Sequence, residues 1–358
     1  MDAQEKAALV ASIGEEVIGR DELTALFEKK HHPVAYNGFE PSGRMHIAQS
    51  LGYAINVGKL LDAGCTVKVL VADWHAQANG KLDGDLEKIQ TAGKYFIEVW
   101  TGCGLDTSKV EFIWASDLVQ EPGYWQTVLK IGTINSLDRI KRCSQIMGRD
   151  DEEGLSAAQI LYPLMQCADV FHLGIDICQL GMDQRKVNVL AREVAPKLGH
   201  EKPIIVSHHM LLGLLEAPKG VTDAVSRAAA MKMSKSKPDS AVFADDTEEE
   251  VVRKLKGAYC PAKQVEENPI LEYCKHIIFE RRESLTISRP EKYGGPMTFT
   301  SYKELEHAFV EGNVHPMDLK SAVAIALNEL LAPVREHFSK NAEAKRLSEE
   351  VASYRVTR

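Results

Sequence analysis

Apolar residues are bunched along this chain in short runs, and between the runs they recur every three or four positions. Val34-Ala35-Tyr36, Val67–Ala72, Val110–Trp114 and Ile204-Ile205-Val206 are continuous enough to read as strands buried on both faces, and Leu173–Gln179 is a fifth candidate. Leu86–Trp100 and Ser156–Ala168 carry the helical period instead. Strands alternating with helices predict an α/β fold built on a doubly wound parallel sheet. Such sheets bind ligands outside the carboxyl ends of their strands, so the chemistry is expected just after each run.

Polar and turn-forming residues do follow the runs. Asn37-Gly38-Phe39-Glu40-Pro41-Ser42-Gly43 follows the first, Asp73 and His75 the second, and Gly181, Asp183 and Gln184 the fifth. The run at Ile204 leads through His208 and His209 toward Met231-Lys232-Met233-Ser234-Lys235-Ser236-Lys237-Pro238. Past residue 245 the texture changes. Asp245-Asp246-Thr247-Glu248-Glu249-Glu250 reads as a capped, acid-rich helix start, and most of the remainder, such as Ser321–Phe338, is charged with helical period. A boundary is therefore expected near 245, dividing a catalytic unit (1–245) from a mainly helical unit (246–358). The small-residue stretch Ala217–Ala230 reads as a surface insertion.

Length agrees with two units, since 358 residues exceed the ~150 of a typical domain. With 44% hydrophobic and 26% charged residues, wholesale disorder is excluded. No stretch reaches the ~18 uncharged apolar residues of a membrane helix, and the acidic start MDAQEKAALVASIGEEVIGRDE has no secretory h-region, so a cytoplasmic protein without membrane contact is expected. Seven scattered cysteines argue against a disulfide framework and for a reducing compartment. The net charge of -8 argues against general DNA or RNA coating while leaving room for local basic patches.

Two motifs bring phosphate chemistry into view. Lys232-Met233-Ser234-Lys235-Ser236 places compact, movable cations among small hydroxyls, which suits a triphosphate whose charge shifts during reaction. The competing reading is a solvated basic loop. Gly38–Gln49 runs from a strand through a glycine turn into a helix, so a helix N-terminus and His46 can face an anion. A capping turn with an incidental histidine is the alternative.

Taken together, in this strand order, the two motifs resemble the signatures of class I aminoacyl-tRNA synthetases, specifically the tyrosyl enzymes of archaeal and eukaryotic cytosolic type. The resemblance runs from about Tyr36 to Phe338. Supporting stretches are Ala72-Asp73-Trp74-His75-Ala76, Tyr162-Pro163-Leu164-Met165-Gln166-Cys167-Ala168-Asp169, Gly181-Met182-Asp183-Gln184-Arg185-Lys186, Ala258-Tyr259-Cys260-Pro261, Arg289–Gly295 and His315-Pro316-Met317-Asp318-Leu319-Lys320. The first signature departs from its usual form, with Ala48 and Gln49 where the family has glycine and histidine.

The resemblance implies a Rossmann-type catalytic domain followed by a helical anticodon-binding domain, and ATP-dependent joining of L-tyrosine to tRNA(Tyr) by way of tyrosyl-adenylate. ATP with Mg2+ is the expected substrate, with no tightly bound cofactor or protein-held metal. His46, Lys232 and Lys235 would stabilise the phosphates, with Gly38, Glu40, Gln49, Gly181, Asp183, Met233 and Ser234 completing the ATP site. Tyr36 and Asp169 would take the substrate phenol, one able to donate and the other to accept. Tyr162, Gln166 and Gln184 would hold the ammonium with help from Asp73, for which satisfying the core is the rival role. Tyr162, Gln166 and Asp169 stand at i, i+4 and i+7, one face of a helix. Asp183 is also a possible helix N-cap. For tRNA the implied contacts are Arg142 and Arg185 near the acceptor end, and Tyr293 and Asp318 at the anticodon, where Asp318 as a helix N-cap competes. A homodimer is expected, joined through the 117–157 region. Rival functions are a tryptophanyl-tRNA synthetase, a catalytically degenerate synthetase-like RNA-binding protein, which the Ala48-Gln49 departure supports, and a small nucleotidylyltransferase.

Overall fold

The computed structural model describes residues 1–147, 154–217, 220, 227, 231–235 and 237–355. Strands β1 (Glu16–Ile18), β2 (Val34–Phe39), β3 (Thr66–Val71), β4 (Val110–Trp114), β5 (Ile177–Gly181) and β6 (Ile204–His208) form one sheet in the order β1-β6-β5-β2-β3-β4. Neighbours run parallel except β1, which is antiparallel to β6. The chain winds outward from β2 through β3 to β4, then returns to lay down β5 and β6 on the other side. The reversal falls between β2 and β5, where a doubly wound sheet opens its ligand crevice.

The apolar runs are strands because the sheet is buried on both faces. Alternate residues feed two separate cores. Ala35, Val69 and Ile177 enter one, beneath helices Tyr53–Asp62 and Leu86–Gly102. Tyr36, Leu70 and Cys178 enter the other, beneath Pro122–Thr133, Ala157–His172 and Arg185–Leu198. Ser156 caps the helix Ala157–His172 with a reciprocal box to Gln159, and Thr247 caps Glu248–Gly257 in the same way with Glu250.

Two sequence expectations shift. The fifth strand starts at Ile177, not Leu173, because the preceding helix runs to His172 and the chain then turns through Gly174 at φ +66°. β1 carries no apolar run and was not anticipated, nor was the small antiparallel hairpin of β7 (Leu285–Ile287) and β8 (Met297–Phe299). Most of the 217–230 stretch lies outside the described residues. After Thr247 the chain is helical apart from that hairpin, and its 25-residue helix Pro316–Lys340 packs on both Glu248–Gly257 and Leu86–Gly102. His337 Nε2 there lies 2.6 Å from Glu98 Oε2. Among the described residues no helix is long and apolar enough to cross a membrane.

Candidate active site

A cleft of about 840 Å3 opens at the carboxyl ends of β2 and β5. Its floor is polar and buried. Asn37 Nδ2 donates to Gln179 Oε1 at 2.7 Å, and Gln179 Nε2 lies 2.7 Å from His208 Nδ1, so an amide–imidazole chain crosses β2, β5 and β6. The sequence placed Asn37 and His208 just after apolar runs but gave no sign that Gln179 would join them in one chain.

One end of the cleft is a closed pocket. Helix Ala157–His172 presents Tyr162, Gln166 and Asp169 on one face, all buried, and Tyr36 from β2 is 2% exposed. Gly38 is required two residues on, because a Cβ there would stand 2.7 Å from the Tyr36 hydroxyl. Gln166 Nε2 donates to Gln184 Oε1 at 3.2 Å, and Gln184 Nε2 donates to the Ile146 carbonyl at 3.1 Å. Two residues that sequence reasoning did not assign to this pocket hold Asp169. The Tyr124 hydroxyl donates to Oδ1 at 2.8 Å, and His75 Nε2 approaches Oδ2 at 3.1 Å. Burial alone would lower the His75 pKa, but the charge of Asp169 and its hydrogen bond outweigh that and raise it. Burial, reinforced by Asp169, pushes the Tyr36 phenol well up. Gln166 Oε1 is buried without a hydrogen-bond partner among the described residues, and Asp169 Oδ2 has only the His75 ring beside it. Both residues line the cleft, Gln166 in the middle of the polar stripe and Asp169 at its end.

Asp73 does not line the cleft. Its Oδ1 accepts from the Trp74 and Ser116 amides at 2.9 Å each, and its Oδ2 accepts from Gln90 Nε2 at 2.9 Å. It knits the ends of β3 and β4 together, which is the core-satisfying role.

The other end of the cleft gathers Gly38, Glu40, His46, Gln49, Gly181, Asp183 and the loop Lys232–Lys235. Gly181 is less tightly constrained than Gly38, because a Cβ there would fall 2.6 Å from Asp183 Oδ1 and from Met210 Sδ, the ends of side chains that can shift. Lys232 Nζ lies 3.5 Å from Asp183 Oδ2. Lys235 Nζ donates to Ser42 Oγ at 3.0 Å and sits 4.9 Å from the centre of the Phe96 ring. Burial, with Lys81 adding to it against Glu40, pushes the Lys235 pKa down to about 7. Burial first, and then the charge of Lys235, pushes His46 down to about 3, so it acts as a neutral hydrogen-bonding ring. Its Nδ1 is buried without a partner among the described residues, as is Gln49 Oε1. Gln49 stands on a π-helical segment, Ala48–Gly52, a geometry frequent at functional sites. Its carbonyl accepts from Trp100 Nε1 at 2.8 Å, which fixes that segment against the cleft wall.

The residues expected to meet RNA lie elsewhere. Arg142 is exposed on helix Leu137–Cys143, and Arg185 forks onto Glu16 at 2.5 and 3.0 Å. Asp318 is half-buried in the first turn of Pro316–Lys340, whose N-cap is His315, with Nδ1 accepting from the Met317 amide at 3.2 Å. The capping role considered for Asp318 thus belongs to His315. The side chain of Tyr293 lies outside the described residues.

Residues 28–332 match the family described as tRNA synthetases class I (W and Y). Over the whole chain the sequence is 50% identical to cytoplasmic tyrosine–tRNA ligase 1 of Arabidopsis thaliana, spanning 90% of that protein. The tyrosyl-tRNA synthetase of Pyrococcus horikoshii, solved with L-tyrosine, superposes with a TM-score of 0.91 at 43% identity, covering 98% of this chain and 100% of that one. The Leishmania major tyrosyl-tRNA synthetase, solved with tyrosinol, gives 0.89 at 46% identity; this chain is covered to 99% but spans 61% of that longer chain.

Proposed function

The chain belongs to the class I tRNA synthetases, among the tyrosine–tRNA ligases, and from that premise we propose how its residues carry the reaction. The substrate phenol enters the closed pocket, donating to Asp169 and accepting from Tyr36. Gln166, Tyr162 and Gln184 take the ammonium. This orientation leaves the carboxylate pointing along the cleft toward the nucleotide end. Carboxylate oxygen attacks the ATP α-phosphorus, a bond forms there, and the bond to pyrophosphate breaks. No enzyme nucleophile is involved, so the protein's contribution is alignment and charge stabilisation. His46 donates to a phosphate oxygen as a neutral ring, while Lys232 and Lys235 follow the negative charge onto the departing pyrophosphate. Gly181 lets the ribose approach the backbone, and Asp183 accepts from a ribose hydroxyl. Mg2+ arrives bound to the phosphates as part of the substrate. In the second step a ribose hydroxyl at the 3′ end of tRNA(Tyr) takes the tyrosyl group and AMP leaves.

The single observation that carries this reading is the buried Asp169 carboxylate, held by Tyr124 and His75 in the same cleft as the buried Tyr36 hydroxyl, a site that matches a phenol and has no counterpart need for an indole. Tyrosine-dependent ATP–pyrophosphate exchange tests it, with tryptophan and phenylalanine as controls. Exchange driven by tryptophan, or by no amino acid, overturns it.

The remaining assignments are part of the same proposal. Residues 1–245 form the catalytic unit and 246–358 read the anticodon, with Asp318 and Tyr293 at the base and Arg142 and Arg185 toward the acceptor end. The protein works in the cytoplasm as a homodimer. Exposed Leu129, Leu137 and Leu161, on the helices that carry Tyr124, Arg142 and Asp169, support a self-association face.

A further inference from the structure

The two phosphate-binding segments, far apart in sequence, are stitched together by backbone. The Ile47 amide donates to the Val242 carbonyl at 2.9 Å and the Ala244 amide to the Met45 carbonyl at 2.8 Å, an antiparallel bridge centred on His46 and Phe243. The lysine loop ends at the start of that bridge. Ser240 closes it, its Oγ accepting from the Ser234 amide at 3.0 Å and donating to the Lys237 carbonyl at 2.7 Å. Whatever fixes the bridge therefore fixes His46 relative to Lys232 and Lys235.

An ionic cluster does so. Arg44, next to the first segment, forks onto Asp245 with contacts of 2.7 to 3.1 Å and reaches Asp246 Oδ1 at 3.0 Å. Asp246 is fully buried. Its Oδ2 accepts from the Phe243 amide at 2.8 Å and from Lys254 Nζ at 2.6 Å. Its backbone carbonyl accepts from Arg335 Nε, at 2.9 Å, on the long C-terminal helix. Arg44 and Lys254 also lie 4.6 and 4.7 Å from the centre of the Phe243 ring. One carboxylate thus holds a bridge amide, the arginine beside the other bridge strand, and a cation from the helix behind. A buried charge among such contacts costs desolvation, so a buried ion cluster is weak evidence of a purely stabilising role.

We propose that Asp246 is a positioning residue for the ATP half-reaction, setting through Arg44 and the Phe243 amide the register between the His46 segment and the Lys232–Lys235 loop. This rests on the functional reading above. Transition-state alignment is sensitive to such a register, since a shift of about 1 Å is enough to cost on the order of 100-fold in rate. Among the described residues no hydrogen bond or ion pair joins the tyrosine pocket to the cluster, so tyrosine binding is expected to be independent of it.

The test is Asp246→Asn, alone and combined with Lys254→Met, which removes the cation left without its partner. For each variant and the wild type, the measurements are tyrosine-dependent exchange (kcat and the KM for ATP), tyrosine Kd by equilibrium dialysis, and Tm. Asp246→Asn is expected to lower exchange kcat by roughly 10- to 100-fold, to raise the KM for ATP, and to leave tyrosine Kd unchanged. In the double variant Tm recovers while exchange stays low. Recovery of exchange in step with Tm, or a parallel loss of tyrosine affinity, would make Asp246 merely structural and overturn the proposal. Wild-type exchange matched by an unimpaired Asp246→Asn overturns the proposal alone. A wild type with no tyrosine-dependent exchange overturns the functional reading and the proposal with it.

Discussion

Tyr124→Phe removes one oxygen atom from a ring that is fully buried and otherwise keeps its packing. That oxygen donates to Asp169 Oδ1 at 2.8 Å, with the Met165 carbonyl a more distant second acceptor at 3.2 Å. The Met165 carbonyl lies within the helix Ala157–His172, so the loss falls on Asp169. Hydrogen bonds to a charged group contribute about 1.5–3 kcal/mol. At 1.4 kcal/mol per factor of ten, kcat/KM for tyrosine should fall roughly ten- to a hundredfold. Phenylalanine makes no use of Asp169, so its weak activity should barely change and the ratio of the two substrates should narrow by the same factor. Exchange assays with both amino acids on wild type and variant measure this directly. Equal losses for tyrosine and phenylalanine, or no loss for tyrosine, would refute the view that Tyr124 orients the carboxylate for the phenol.

Lys235, pushed down to about 7 by its burial, should become fully cationic beside a triphosphate. Nucleotide binding should then take up a proton at pH 8 and much less at pH 6, with affinity weakening as pH rises above about 7; calorimetry in two buffers of different ionisation enthalpy at pH 8 checks it, and buffer-independent heats would refute it. His276, pushed down to about 3 by burial and then by the charge of His209, binds its proton more readily when unfolded. Its contribution to stability is thus present above pH ~6.5 and is lost progressively as pH falls toward 3, so His276→Asn should flatten the decline near pH 5 by up to about 1.4 kcal/mol per pH unit in urea melts. Asp318→Asn should weaken aminoacylation of tRNA(Tyr) while leaving tyrosine–ATP exchange intact, and the deficit should shrink on a tRNA altered at the first anticodon base. Because the helix is capped by His315, Tm should stay put.

The sheet was legible where burial on both faces forces an apolar run, as in Ile204–Val206 and, interrupted only by Lys68, Val67–Val71. Helix starts were legible where a cap is a local chemical pattern, as at Ser156 and Thr247. β1 was not, because all three of its residues are half-buried at the sheet edge and leave no period to read. Within the site, the shared helical spacing of Tyr162, Gln166 and Asp169 put them on one face, but it was the family resemblance that singled them out. Tyr124 and His75 were not assigned to the pocket, because each meets Asp169 only through the tertiary fold. The pairing of Asp73 with two backbone amides was equally invisible, as a carboxylate after a strand reads the same whether it faces a ligand or two N–H groups. His75 had one usable signal, an ionisable ring four residues beyond the end of a buried strand.

The bridge between Met45–Ile47 and Val242–Ala244 also imposes an order on biosynthesis. β2, β3 and β4 pair through contacts short enough in sequence to form while the chain is still emerging from the ribosome. The nucleotide end of the cleft has no such early form. Its first half is made near the start of translation and its second half some two hundred residues later, with the closing contact to Arg335 later still. Loop closure over that span cannot begin until residues 242–244 are made, and long-range closure of this kind is slow. The sheet's β2–β3–β4 part can therefore form well before the nucleotide end of the cleft, whose two halves are joined only when both Met45–Ile47 and Val242–Ala244 have been made.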